Sequence, residues 1–559
     1  MSLKKKSPWW HLYIPKLYTV LKEGYSLSLF RADTLAGLTV AIVAIPLAMA
    51  LGIASGTTPD KGLITAVIAG FLISALGGSR IQIGGPTGAF VVVVYNVIAQ
   101  HGYDGLMIAT LMAGVMLVVA GFCRLGNWIK YIPQPVITGF TAGIAVIIFS
   151  SQIKDFFGLG IEKVPGLFLE KWMVFWQAKD SMNQFATVIS MASLIFIVLL
   201  RKYFPHLPAF LMAVILSSLA VVAFHLPVVT IGSAFGELPH GIPMPSLPDN
   251  ITAARMLELF PAAFTIAFLA GIESLLSAVV ADGMIDRRHR SNCELVGQGV
   301  ANIASPLFGG MPATGAIART VTNIRSGGKT PVAGMMHALF ILVAMVFLAP
   351  LASYIPLAVL AAILMVVAWN MSEIEKVKHL MKAPIGEQLV MVLTFVLTVA
   401  VDLTVAIEVG VVLAAILFMH QMAQQTNFIE EEVDDLNNPS SPLSDDVPLG
   451  VVSYRVHGPL FFGVGSRLLD VVEQLNPAPK IFILRLGMMS MIDASGEASL
   501  RAFLERCRKK GIFVILSNLQ EQPRLVLSRM GMLDSGDLHY VFAADFSEAR
   551  RIANQRLNI

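Results

Sequence analysis

Charged side chains are scarce in this chain: Asp, Glu, Lys and Arg make up 14% of its 559 residues, against 55% hydrophobic residues. With a mean hydropathy of +0.71, that balance excludes an ordinary soluble protein and requires a polytopic membrane protein. The net charge of +3 is too small to mark a nucleic-acid binder; what carries information is where the charges sit. Cysteine is nearly absent. Cys123, Cys293 and Cys507 are isolated, odd in number and free of CxxC spacing, which excludes a disulfide framework and a zinc site. His101, His206, His240, His337 and His457 show no metal-ligand spacing, and no P-loop, nucleophile elbow or HExxH occurs, so neither an enzyme, an ATP-driven engine nor a cofactor is indicated. The N-terminus has no apolar core before residue 35 and no small-residue cleavage signal, so it is not a cleaved signal peptide. Lys4 to Lys6 with Trp9 and Trp10 fit either an interfacial segment or a disordered basic tail.

What the chain does have is apolar runs, one after another from about residue 34 to 425. They predict about fourteen membrane segments: 34–53, 62–77, 86–100, 105–124, 133–151, 184–203 and 208–226, then 258–280, 293–308, 314–326, 330–350, 355–371, 385–402 and 404–422. Basic residues gather on alternate turns (Arg80; Arg124 and Lys130; Arg201 and Lys202; Arg287, Arg288 and Arg290; Arg325 and Lys329; Lys376, Lys378 and Lys382). The other side holds fewer, among them Lys61, Lys154 and Lys163, mixed with Asp60, Asp155 and Glu162. That bias places both termini in the cytoplasm.

Two stretches echo each other. Gly84-Gly85-Pro86-Thr87-Gly88-Ala89 and Gly309-Gly310, Pro312, Thr314-Gly315-Ala316 share a glycine pair, a proline and Thr-Gly-Ala. Each reads as an extended approach to a short helix, with the threonine hydroxyl at the helix N-terminus. Half-helices starting at membrane depth aim free N–H groups and positive dipole ends at an anion; small residues that let helices pack closely are the plainer reading. The offset, 314 − 87 = 227 residues, spans seven segments. Seven is odd, so the second copy runs upside down, as in the inverted repeats of secondary transporters.

Glu273 stands in FTIAFLAGIESLLSAVV, a run with no other charge. A carboxylate there is costly and marks an ion or proton path, unless backbone N–H and serine hydroxyls hold it for structure. Ser274 adjoins it, and Ser277 lies four residues on, on the same helix face. Arg319, five residues after Thr314, either adds a positive charge to the anion site or binds lipid phosphate at a helix end. Arg31 and Asp33 are expected ahead of the first span as structural residues, and Asp402 and Glu408 at a span boundary.

After residue 426 the character changes. Residues 427–447 are acidic and rich in Ser, Pro and Asn, and read as a linker. Beyond them VVSYRV, KIFILRL and GIFVILSN look like strands, and Ser495 to Lys510 looks like a helix closed by Gly511, which together make a small soluble α/β domain. Ser495 is a candidate helix cap, and a phosphate there would face a helix N-terminus.

With GLTVAIVAIPLAMALG, GGSRIQIGGPTGAF, GIESLLSAVVADGM and ATGAIARTVTNIRSGG, followed by a domain containing Asp493-Ala494-Ser495-Gly496, the chain resembles the SulP anion permeases with a C-terminal STAS domain. The resemblance implies a seven-plus-seven inverted repeat with core and gate domains, a homodimer and elevator-like alternating access. The domains are then an N-terminal segment 1–30, a transporter domain 31–426 (repeats about 31–230 and 255–426), the linker, and a STAS domain 448–559. It places substrate against Leu47, Thr87, Gly88, Ala89, Thr314, Gly315, Ala316, Ile317 and Arg319, with Glu273 and Ser277 coupling a proton and Ser495 as a regulatory phosphosite. Many members carry Pro-Gln-Gly where this chain has Pro46-Leu47-Ala48, and sodium-coupled bicarbonate members carry a threonine where it has Ile317. The first-helix sequence and Glu273 look instead like the proton-coupled C4-dicarboxylate branch. The expectation is therefore an anion–proton symporter of the bacterial inner membrane, with bicarbonate or sulfate transport, exchange, uniport, or a STAS-based signalling role with its own cytoplasmic partner as alternatives.

Overall fold

The computed structural model describes residues 9–127, 133–161, 164–165, 168–205, 207–236, 239, 241–401, 403–430, 450–475, 477–533 and 539–557. Lys4 to Lys6, Lys130, Glu162, Lys163, His206, His240, Asp402 and all but the first four residues of the expected linker lie outside that set.

A 3-10 turn at Trp9–Tyr13 leads to helix α1 (Lys16–Glu23). The first half of the membrane unit is α2 (Leu27–Ala54), α3 (Pro59–Leu76), the two-residue strand β1 (Gly84–Gly85), a 3-10 turn at Gly88–Phe90 running into α4 (Val91–Phe122), then α5 (Gln134–Ser151), the short α6 (Ile153–Phe157) and α7 (Phe168–Gln177), α8 (Gln184–Tyr203), α9 (Ala209–Phe224) and the short α10 (Ile231–Phe235). The second half repeats the plan: α11 (Ala253–Ile285), α12 (Ser291–Leu307), β2 (Thr314–Gly315), α13 (Ile317–Arg325), α14 (Val332–Ala352), α15 (Leu357–Met371), the short α16 (Ile374–Leu380), α17 (Ile385–Ala400) and α18 (Leu403–Gln424). Helix α4 is broken at Gly102, whose φ of +69° falls where only glycine is comfortable. Counted as two segments there, it completes seven spans in each half.

The spans divide into two packed groups. Helices α2, α3, α4 and α11 to α14 contact one another, and α5, α8, α9, α15 and α17 form the second set. Small residues permit the closest crossings. A Cβ on Gly114 of α4 would lie 2.7 Å from the Gly299 carbonyl of α12, and one on Gly299 would lie 2.6 Å from the Gly114 carbonyl.

Helix α2 starts earlier than its apolar run, because Ser26 caps it by accepting from the Leu29 N–H. Arg31 and Asp33 are therefore inside the helix rather than ahead of the span. Asp33 is fully buried and accepts hydrogen bonds from Lys329 N, Thr330 N and Thr330 Oγ1 at 2.8, 3.1 and 2.5 Å, so its role is to hold the start of α14. Glu408 is exposed on α18.

The C-terminal unit is a five-stranded sheet in the order β3-β4-β5-β6-β7. It comprises β3 (Asn427–Glu430), β4 (Val451–His457), α19 (Gly465–Gln474), β5 (Ile481–Met488), α20 (Ala494–Lys509), β6 (Phe513–Ser517), α21 (Glu521–Arg529), β7 (Tyr540–Ala543) and α22 (Phe546–Leu557). Strand β3 runs antiparallel to β4, and the others are parallel. Residues 427–430 thus belong to the sheet and not to the linker: their acidic neighbours hid a strand whose backbone pairs with residues 454–457. Alternation splits the core. Phe482, Leu484 and Leu486 pack with Leu468 and Phe503, while Ile481 and Ile483 pack with Ala549 and Ala553 of α22.

Candidate functional site

The two echoed stretches meet. Strands β1 and β2 pair antiparallel, Gly84 opposite Gly315 and Gly85 opposite Thr314, and the Ala316 N–H donates to the Ile83 carbonyl at 2.8 Å. Antiparallel pairing is what a two-fold axis in the membrane plane requires of equivalent segments. From this crossing the chain enters the 3-10 turn at Gly88 on one side and α13 at Ile317 on the other. The first-turn N–H groups of both have no earlier partner within their own helix.

Neither threonine caps its helix, contrary to the reading from sequence. Thr87 Oγ1 donates to Glu273 Oε2 at 2.8 Å, and Thr314 Oγ1 donates to the Ala270 carbonyl at 2.9 Å. Both hydroxyls reach α11, which passes beside the crossing and is anchored to it through them.

Arg319 is 3% exposed. Its Nη2 donates to the Pro86 carbonyl at 2.8 Å, while Nε and Nη1 have no hydrogen-bond partner among the described residues. Gly85, with φ +149°, leaves room for the guanidinium: a Cβ there would lie 2.2 Å from Arg319 Nη1. Arg319 and Glu273 are close enough to interact electrostatically. Two backbone turns, one carboxyl and one guanidinium therefore converge on a single locus. Above it, a Cβ on Gly88 would lie 2.5 Å from Met371 Sδ of α15 and 3.2 Å from Ile148 Cδ1 of α5, so apolar side chains of the second helix group abut the first half-helix.

Of the other residues singled out from sequence, Gly88, Ala89, Gly315 and Ala316 are buried at the crossing, whereas Leu47, Glu273 and Ile317 are partly accessible. Ser277 is drawn away from Glu273: its Oγ donates to Thr320 Oγ1 at 3.3 Å, which also accepts from the Ile83 N–H. Ser495 is exposed in the first turn of α20, and the cap there is Asp493, whose Oδ1 accepts from Gly496 N at 2.7 Å; Asp wins because it precedes the first helical residue.

Three buried residues at or near the crossing carry no site role in the sequence reading. Gln82 Nε2 donates to Ser274 O and Oγ at 3.1 and 2.9 Å, directly beneath Gly315. Glu294 of α12 accepts from Ser274 Oγ. His337 of α14 is fully buried with neither ring nitrogen partnered among the described residues. His337 is a lone polar residue in an apolar run, the same signal that pointed to Glu273, whereas Gln82 and Glu294 stand in locally polar stretches that mark no one residue.

Comparison with known proteins follows the same outline. The Sulfate permease family profile matches residues 30–394, and the STAS domain profile matches residues 443–544. The chain belongs to the sulfate permease family. It is similar to the putative sulfate transporter YvdB of Bacillus subtilis, 42% identical over 522 residues that cover 93% of this chain and 97% of that protein. It is 31% identical to the bicarbonate transporter BicA of Picosynechococcus, over 89% of this chain and 90% of that protein. Among solved structures, the transmembrane domain of a cyanobacterial BicA matches at 32% identity with a TM-score of 0.63, covering 68% of this chain and 98% of that one. The overall structure of SLC26A9 matches at 18% identity and TM-score 0.85, over 98% of this chain and 94% of that one, which shows a shared fold. This sulfate permease family member is thus a multi-pass membrane transporter for anions, not an enzyme.

Proposed function

We propose that this sulfate permease family member is a secondary active symporter that carries one small oxyanion together with a proton. The observation that supports it most is the Thr87–Glu273 hydrogen bond beside the crossing of β1 and β2, within electrostatic reach of Arg319. A carboxylate and an arriving anion repel, and in a medium of low dielectric that repulsion is large. Protonating Glu273 removes it and frees Arg319 to face the anion, while the N–H groups of the two helix starts supply hydrogen bonds. Anion and proton then enter together and leave together. Sliding of the first helix group against the second, with Met371 and Ile148 as an apolar seal, would expose the site to each side in turn.

A C4-dicarboxylate is the first substrate to test, on the strength of the first-helix sequence with Glu273. The relatives named for sulfate and bicarbonate favour those anions as the second reading. Further expectations are a homodimer in a bacterial inner membrane with both termini cytoplasmic, and Ser495 as a phosphosite.

The deciding experiment is uptake of labelled succinate, bicarbonate and sulfate into proteoliposomes with and without an inward proton gradient. Saturable uptake of one anion, raised by the gradient and lost in Glu273→Gln, is expected. Uptake indifferent to the gradient, or unchanged in Glu273→Gln, refutes proton coupling through this residue.

A further inference from the structure

The core contains a second buried carboxylate, and its surroundings are the opposite of those around Glu273. Glu273 is partly accessible, and the described hydrogen bond to its carboxyl comes from one donor, Thr87. Glu294, near the start of α12, is 0% exposed. Its Oε2 accepts from Gly78 N at 2.8 Å and Ser79 N at 3.0 Å, and its Oε1 accepts from Ser274 Oγ and Gln298 Nε2, each at 3.0 Å. Four donors fill the acceptor positions of a carboxylate, which has about four. No lone pair is left to take up a proton in transit.

Those four donors come from three separate parts of the core: the turn between α3 and β1, helix α11, and α12 itself. The turn can come this close because it is glycine. A Cβ on Gly77 would lie 2.9 Å from Glu294 Oε2, and one on Gly78 would lie 2.1 Å from the Arg290 carbonyl. Ser274 is the residue after Glu273, and it also accepts from Gln82, which lies under Gly315. A chain of hydrogen bonds therefore runs from Glu294 through Ser274 to Gln82, which stands two residues before β1 with its amide packed under Gly315. It fixes at once the stretch of α11 that carries Glu273 and the stretch that leads to Thr87.

We propose that Glu294 is a positioning residue for the anion site: it takes no part in proton transfer, and it holds the turn 77–79 and Ser274 so that Thr87 and Glu273 stay within hydrogen-bond distance across the crossing. This rests on the transport reading for its functional consequence, but its structural half stands without it.

The test uses the full-length protein in two assays. In lipid nanodiscs, hydrogen exchange of Glu294→Gln is compared with the parent chain. The amide group of glutamine replaces one acceptor oxygen with a donor facing donors, so exchange at peptides spanning 77–90 and 314–320 should rise, while 332–352 stays protected. In proteoliposomes the same variant should raise the KM for the transported anion roughly ten- to hundredfold, the loss expected for breaking charge-assisted bonds, with the pH profile and gradient dependence of the remaining uptake unchanged. Ser274→Ala, which removes one donor, should give a smaller KM increase, and adding it to Glu294→Gln should cost little more. If Glu294→Gln does not fold, Ser274→Ala and Gln298→Ala must show the exchange and KM effects on their own. A shifted pH profile, or unchanged KM and unchanged exchange, overturns the proposal. Raised exchange in a protein whose parent shows no uptake of any of the three anions would leave the brace standing and sink the transport reading instead.

Discussion

Replacing Gly315 by alanine should damage the anion site through one identifiable collision. The added Cβ would lie 1.4 Å from Gln82 Nε2 and 2.5 Å from its Cδ. The first is a covalent-bond distance and the second far inside van der Waals contact, so the amide must leave. It then loses its hydrogen bonds to Ser274 O and Oγ, at 3.1 and 2.9 Å. Each bond is worth about 1 kcal/mol in typical mutational series and about 0.6 kcal/mol between membrane helices. The stranded amide adds about 1–3 kcal/mol. The total of roughly 2–5 kcal/mol corresponds to a loss of about thirtyfold to several thousandfold if all of it is expressed in anion affinity. Thermal unfolding in nanodiscs and KM in proteoliposomes would apportion the loss between stability and binding. The decisive control is the cycle with Gln82→Ala. Once the amide is gone the methyl group has room, and Gly315→Ala should be nearly silent in that background. An equal loss in both backgrounds, or a Gly315→Ala protein indistinguishable from its parent, refutes the argument.

Much of the fold was legible because the apolar runs are long and the breaks between them are chemical. The interruption between 100 and 105 contains Gly102, and the chain kinks there. The duplicated Gly-Gly-Pro-Thr-Gly pattern announced that two segments are equivalent, and they do meet. What the pattern could not show is that they meet as paired strands, since a two-residue strand has no periodicity to read. Partner choice was equally hidden. The Thr87 hydroxyl reads locally as a cap, yet its partner lies 186 residues away on α11. Asp33 reads as an interfacial charge because the backbone it caps is 296 and 297 residues distant. Ser277 was assigned to Glu273 by helical spacing alone, and a nearer hydroxyl on α13 took it. Glu294 reads as an ordinary residue of a polar helix start, because it follows Arg287, Arg288 and Arg290 and shares its helix with Asn292, Gln298 and Asn302; only its distant donors on the 78–79 turn and α11 set it apart.

Three further outcomes follow from groups outside the anion site. Asp33→Ala strands three donors at the start of α14 and should cost about 3 kcal/mol, seen as a lower unfolding temperature with an unchanged KM for the protein that folds. Asp493→Ala removes the cap of α20 and should cost about 1 kcal/mol, read as faster hydrogen exchange in that helix, whereas Ser495→Ala, exposed and uninvolved in the cap, should leave exchange as it was. The N-terminal segment should loosen in two steps as pH falls. His11 Nε2 faces Arg290 Nη2 at 3.0 Å, so the ring must be neutral to accept, and the nearby guanidinium, followed by burial, lowers its pKa from the usual 6.5. A base with a depressed folded pKa loses its stabilising effect as pH falls below its unfolded value, which sets the first step below about 6.5. Glu23 hydrogen-bonds and pairs with Arg80, which holds its carboxyl below the usual 4.5. Its contribution is complete above that value and is lost as pH falls through the lowered folded pKa, which sets the second step. Hydrogen exchange of residues 9–23, corrected for intrinsic rates, should rise between pH 7 and 5 and again below 4.5. His11→Ala should erase the first rise and Arg80→Ala the second. A flat profile from pH 7 to 4, or two steps that survive both substitutions, would mean that neither pair holds the segment in place.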